Sequence, residues 1–223
     1  RALIADGYSA SRIHRIDHGI ATGPSATPQT RQAARRALAA INSDLMAGDD
    51  TPVLLCCSRM TRDSGGGLLV KAARHLIARY PDLRLWLIGD GPYRDWMYES
   101  LRGDGVRASI AMPGSFCDIE ELMAAADLFL QPDEDGLDYF LPSAITAELP
   151  IVALDNDSTR AVLTNSANRT GNDHENDPSE LVEWVSGATS KLVRIGIVHV
   201  LDDLPAYREK ASRLRRTLLR SRP

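Results

Sequence analysis

The stretch "TPVLLCCSRMTRDSGGGLLVKAARHLIARYPDLRLWLIGDGP", residues 51–92, decides how the rest of the chain is read. It opens with "PVLLCCS" (52–58), a near-continuous apolar run of strand length, of the kind that suits a strand covered on both faces. A polar, glycine-rich loop follows. "GGLLVKAARHLIARY" (66–80) then sets Leu69, Ala72, Ala73, Leu76 and Ile77 on one helical face and stops before Pro81. "LRLWLIGD" (83–90) is a second buried-type strand. Strand, helix and strand at this spacing make a βαβ unit, which implies a parallel sheet.

The same alternation continues outward. "YRDWMYESLRGDG" (93–105) reads as a helix closing on glycines, and "ASIAMPG" (108–114) as a weaker strand. "DIEELMAAADLF" reads as a helix with Asp118 as its cap and acids in its first turn. "DLFLQP" (127–132) and "PIVALD" (150–155) are strands, and "LPSAITAEL" between them is a helix in which Pro142 fits only a first turn. Toward the ends, "RQAARRALAAINSDL" is helical, "IHRIDHG" (13–19) is a weak strand, residues 164–180 read as an exposed polar loop, and "SRLRRTLLRSR" reads as a basic amphipathic helix. The expected fold class is α/β: a doubly wound, mainly parallel, Rossmann-like sheet with helices on both faces.

Composition narrows the function classes. The chain has 223 residues, 43% hydrophobic and 25% charged, enough for a sizeable core. A formal net charge of -4 argues against a nucleic-acid surface. No apolar run reaches the roughly 18 residues of a membrane span. Cys56 and Cys57 lie inside an apolar run and no CxxC spacing occurs, which fits a reduced, cytoplasmic protein without a cysteine metal site. The chain opens on Arg1 and reads as cut from something longer.

Ligands of open α/β sheets bind beyond the carboxyl ends of the strands. The loops expected there are "SRMTRDSGGG" (58–67), "GDGP" (89–92), "GSFCD" (114–118) and the acidic "PDEDGLDYF" (132–140). The first carries Arg59 and Arg62 before three glycines at a helix entrance, which suits a phosphate. It also reads as a flexible turn with surface arginines, because neither GK[ST] nor GxGxxG follows. "GDGP" is a turn by its own chemistry.

Taken in order, "SR" after a strand, "PDLRLWLIGDGP", "MPGSFCDIEELMAAADLFLQP", "DGL…LP" and "ELPIVALD" resemble the C-terminal half of group 1 glycosyltransferases over roughly residues 3–190. "IHRIDHGI" is similar to that family's passage between its two halves. The resemblance implies the C-terminal half of a GT-B fold: an interdomain passage at 1–20, a nucleotide-sugar-binding domain at 21–200 and a C-terminal amphipathic helix at 201–223. It implies a hexosyltransferase-type enzyme that transfers sugar with retention from a UDP-, GDP- or ADP-linked donor as co-substrate, without a metal cofactor. The acceptor would be a sugar, a lipid-linked glycan or a polysaccharide, met through a missing N-terminal domain. The basic tail can rest on anionic lipid at the inner membrane surface, or can present a solvated face over a docking stripe.

Residue by residue, the resemblance places Arg59 at the family's phosphate-binding arginine and Asp135 at the first of its paired acids, near the transferred sugar; both are the expected catalytic residues. The donor-binding set is Ser58, Arg62, Ser64, Gly65, Gly89, Asp90, Gly91, Phe116, Glu134, Gly136, Leu137, Asp138 and Ser143. Three positions depart from the pattern: Ser64 stands at the family's lysine, Ser143 at its ribose-binding glutamate and Glu148 at a glycine before Leu149-Pro150. Either rearranged contacts bind the donor, or the chain is a catalytically silent Rossmann-like binding or scaffold module. Phe116 reads as a base-packing or a core aromatic. His18 reads as a surface or hinge histidine, with a catalytic imidazole as the alternative, His174 as solvated, and the Asn168-Arg169-Thr170 sequon as an incidental pattern.

Overall fold

The computed structural model describes residues 6–13, 27–167 and 180–221. The passage around His18, the loop around His174 and the sequon at Asn168 lie outside the described residues. Six strands form one sheet: β1 Val53–Cys57, β2 Arg84–Ile88, β3 Ile110–Ala111, β4 Leu128–Gln131, β5 Ile151–Leu154 and β6 Glu183–Val185. Their order is β3-β2-β1-β4-β5-β6, and every pairing is parallel. The chain therefore winds outward one way from β1 through β3, then returns to β4 and winds the other way. That reversal, between β1 and β4, is where an open α/β sheet parts its loops into a crevice.

Eight described α-helices surround the sheet: α1 Pro28–Ile41, α2 Gly66–Arg79, α3 Arg94–Gly103, α4 Ile119–Ala125, α5 Leu137–Thr146, α6 Asp157–Ala167, α7 Ser190–Asp202 and α8 Leu204–Ser221. Because strand side chains alternate, each strand feeds two cores. Leu55, Trp86, Phe129 and Ile151 pack with α1, α4, α5 and Leu214 of α8. Leu54, Leu85, Leu87, Leu130 and Val152 pack with α2, α3 and α7 on the other face. A fully buried Leu, Val or Phe side chain contributes about 1.5–3 kcal/mol, so continuous apolar strands are what two-sided coverage requires. Helix α8 starts against the second core through Leu204 and Tyr207 and reaches the first through Leu214.

Several expectations need correction. Pro142 lies inside α5, because that helix begins at Leu137. Gly136, at φ 63°, turns the chain into it in the left-handed region that favours glycine. β3 has only two residues of the expected seven-residue run, since Arg107–Ser109 form a 3-10 turn and Met112 onward is loop. Residues 164–167 belong to α6 and not to a loop. β6, "EWV", was not anticipated: three residues led by an acid carry no apolar run, and the strand exists by pairing to β5. The Asp118 cap is present, its side chain accepting from the Glu121 backbone N–H at 3.4 Å.

The tail's cations are partly turned inward. Arg208 pairs with Asp127 at 2.7 Å and Arg215 with Glu148 at 3.0 Å. Glu148 has a positive φ of 57°, in the left-handed region that favours glycine, and also accepts from Ser212 Oγ at 2.7 Å. Glu148→Gly and Glu148→Ala both lose these contacts, but only alanine keeps the left-handed strain. In urea unfolding the alanine variant should be the less stable by about 1 kcal/mol. Equal stabilities would mean that Glu148 is not strained.

Candidate donor site

The loops at the carboxyl rim are stitched to one another by backbone. Ser58 N–H donates to the Ile88 carbonyl at 3.0 Å, Met60 N–H to Asp90 at 2.9 Å, Tyr93 N–H to Met60 at 2.9 Å and Gly89 N–H to Gly114 at 3.0 Å. Gly89 (φ 140°) and Gly91 (φ 155°) lie so close to the Ser58 and Met60 carbonyls that a methyl group at either would overlap them. These glycines therefore serve loop-to-loop contact. Phe116 is half-buried and packs against the first core.

The acidic loop is also self-organised. Gln131, fully buried at the end of β4, donates from Nε2 to the carbonyls of Asp133 at 2.8 Å and Asp135 at 3.2 Å. Asp133 Oδ1 accepts from the Asp135 N–H at 3.0 Å, and its Oδ2 from the Gly65 N–H at 2.6 Å. Ser58 Oγ accepts from the Gly66 N–H at 3.2 Å and lies 3.4 Å from Asp133 Oδ2. The entrance to α2, where the sequence suggested a phosphate, thus holds an internal carboxylate and a hydroxyl. Gly65 also packs against Pro132, leaving no room for a side chain.

Arg59 and Asp135 meet over the β1/β4 reversal. The Arg59 N–H donates to Asp135 Oδ2 at 3.0 Å, and its Nη2 lies 3.4 Å from Oδ1. The two side chains are 70% and 35% exposed, so this ion pair is weak and a stronger anion can take the guanidinium from it. Arg62 stands exposed on the same loop.

The departed positions are locally occupied. Ser64 Oγ donates to the Thr61 carbonyl at 2.9 Å, closing a turn, and Ser143 Oγ to the Tyr139 carbonyl at 2.9 Å, back along its own helix. At the entrance to α5 the Phe140 ring covers Gly136, while Tyr139 is 44% exposed. Partial burial, with the Glu120 and Asp118 carboxylates nearby, pushes the Tyr139 hydroxyl pKa up. Leu137 is buried in the first core, and Glu134 and Asp138 lie on the acidic rim. Asp90 caps its own turn, accepting from the Gly91 N–H at 2.8 Å. Among the described residues, no cluster of three or more His, Cys, Asp or Glu is arranged to hold a metal ion.

Gln131 and Asp133 hold this loop in place, and neither was among the expected site residues. The available signals were a glutamine ending an otherwise apolar strand and the acidic run that contains Asp133.

An open, all-parallel sheet of six strands that winds both ways from β1, with helices on both faces, defines an α/β domain of the Rossmann-like class. The family model for glycosyl transferases, group 1, matches residues 51–210, and the chain belongs to that family. It is 28% identical over 136 residues to a GDP-mannose-dependent monoacylated alpha-(1-6)-phosphatidylinositol monomannoside mannosyltransferase of Corynebacterium glutamicum, covering 57% of this chain and 34% of that protein. It is 30% identical over 95 residues to the lipopolysaccharide core biosynthesis glycosyltransferase LpsE of Rhizobium meliloti, covering 43% of this chain and 27% of that one. The solved structure of WaaG, a glycosyltransferase involved in lipopolysaccharide biosynthesis, superposes with a TM-score of 0.69 at 20% identity, over 97% of this chain and 55% of that one. HepE of Anabaena, in complex with UDP and glucose, gives 0.66 at 18% identity, over 99% and 55%. The matches thus span about a third of these curated relatives. Among the described residues no helix is long and apolar enough to cross a membrane.

Proposed function

We propose that this chain is the donor-binding half of a glycosyltransferase that takes a nucleoside diphosphate-sugar into the crevice over β1 and β4. The observation that carries this reading is the meeting of Arg59 and Asp135, 76 residues apart in sequence, at the sheet's reversal point. On donor entry the pyrophosphate draws the exposed Arg59 guanidinium from its weak pair with Asp135, and Arg62 adds charge from the same loop. As the bond from sugar to phosphate breaks, the leaving diphosphate carries the electron pair, and the Arg59 and Arg62 cations stabilise it without a metal. Asp135 is left facing the sugar. The acceptor hydroxyl forms the new bond to the anomeric carbon on the face the diphosphate leaves, with retention, and its proton passes to the departing phosphate oxygen. Because Asp133 and Ser58 already fill the α2 entrance, the phosphates sit on the Arg59 side and not on the Gly65 amide. The names of the relatives favour a mannose- or glucose-type donor and a lipid-linked or lipopolysaccharide acceptor.

Calorimetric titration of the chain with UDP, GDP and ADP tests the reading. One of them should bind, and Arg59→Ala should weaken it tenfold to a hundredfold, the effect of losing a charge-assisted hydrogen bond of about 1.5–3 kcal/mol. No binding by any of the three, or unchanged affinity in the variant, would leave a silent binding module as the better account.

A further inference from the structure

A second charged assembly sits at the opposite, amino end of the same strands. Asp127, just before β4, is buried and accepts from the Val53 N–H at 2.9 Å, from Arg35 Nη2 at 2.7 Å and from Arg208 Nη2 at 2.7 Å. Arg31 lies 3.4 Å from the same Oδ1 that Arg208 holds, so two guanidinium groups stand side by side over one oxygen. Arg35 is fully engaged, donating also to the carbonyls of Ala125, Gly48 and Asp49.

Arg31 is not engaged in that way. No side-chain hydrogen bond is made by it among the described residues, and its Nε is buried without a partner. Burial lowers its pKa; Asp127 works against that, while the Arg208 and Arg35 charges add to it. A cation in this position is short of negative charge.

The space it faces is a cavity of about 480 Å³ between the starts of α1 and α8 and the loop before β1. That volume falls in the range of small-molecule sites, about 300–1,000 Å³. Arg31 and Arg208 line the cavity together with the exposed residues Asp49 and Asp50, and Gln32 donates to Asp49. Guanidinium groups recognise a phosphate dianion through paired N–H donors, and carboxylates accept from hydroxyls. The charges of this lining balance in sum; Asp127 answers the buried guanidinium groups, and the exposed Asp49 and Asp50 offer acceptors for hydroxyls, which suits a ligand that carries both an anion and hydroxyls.

We infer that this cavity binds a small phosphorylated polyol, its phosphate between Arg31 and Arg208 and its hydroxyls on Asp49 and Asp50. The site is separate from the donor crevice and does not depend on the function proposed for that crevice. It is tested by thermal unfolding and calorimetry of the chain with inorganic phosphate and with glycerol 3-phosphate, against sodium chloride at matched ionic strength. Both ligands should raise Tm, glycerol 3-phosphate at the lower concentration. Arg31→Gln and Arg208→Gln should each weaken binding at least tenfold, while Arg59→Ala should leave it unchanged. Arg31→Gln removes a 3.4 Å ion pair to a carboxylate that Arg35 and Arg208 also hold, so the ligand-free Tm should fall by less than phosphate raises the wild type. Four outcomes overturn the proposal: no shift beyond that of chloride, a shift that survives both substitutions, a shift lost in Arg59→Ala, or a ligand-free Tm in Arg31→Gln that falls by as much as phosphate raises the wild type. Equal affinity for the two ligands would overturn the polyol assignment.

Discussion

Asp127→Ala is expected to destabilise the chain by about 3–5 kcal/mol, the cost of stranding a buried charge. For a chain of this length that is a fall in Tm of roughly 10 °C. Arg35 is only 2% exposed and its ionic partner is this carboxylate, at 2.7 Å. Removing the acid leaves a guanidinium in the core and also strips the Val53 N–H, at the start of β1, of its acceptor. Arg208→Ala supplies the comparison: its side chain is half-exposed, so losing its pair should cost under about 1 kcal/mol. Urea unfolding of both variants measures the difference. A loss below about 1 kcal/mol for Asp127→Ala would show that Arg35 is held by its carbonyl contacts and not by the charge.

Gly89→Ala should be nearly as damaging, at about 3 kcal/mol or more, since a left-handed φ and a backbone overlap combine. Its methyl group would meet the Ser58 carbonyl, and neither backbone can retreat while Ser58 N–H is bonded to Ile88 and Gly89 N–H to Gly114. The damage should extend to function, because the displaced strand-end is the one that carries Arg59. Gly103→Ala is the control. It closes α3 with nothing within 4 Å of the added carbon, and should be neutral or slightly stabilising. If both variants unfold at the same denaturant concentration, the rim loops are softer than their hydrogen bonds imply.

The contrast between these glycines bears on how a sequence is read. "GDGP" and "SGGG" carry a composition that serves a phosphate or a tight loop equally well. Here Gly89 and Gly91 press against the Ser58 and Met60 carbonyls, Gly65 and Gly66 pack against the Pro132 ring and the Leu87 and Ser58 side chains, and the α2 entrance is capped by Asp133 from 68 residues away. The acidic loop had looked like a departed donor loop; part of its acidity is the cap of a neighbouring helix. Ser64 and Ser143 follow the same logic, each bonded to a backbone carbonyl within its own turn or helix.

Read alone, the sequence was enough for the sheet and its winding. β1, β2, β4 and β5 announce themselves because a strand covered on both faces must be apolar at every position, and such runs spaced by amphipathic helices admit one architecture. It was enough for the family as well; it singled out Arg59 and Asp135, which the structure brings together at the reversal point. Tertiary structure alone decided which polar groups consume one another. β6 exists through its pairing with β5, α5 follows a glycine turn six residues before Pro142, and Asp127 gathers Arg35 and Arg208 from 92 and 81 residues away. Apolar burial depends on local periodicity and is written along the chain. A hydrogen bond or ion pair depends on which distant groups the finished packing brings within about 3 Å, and nothing local records that.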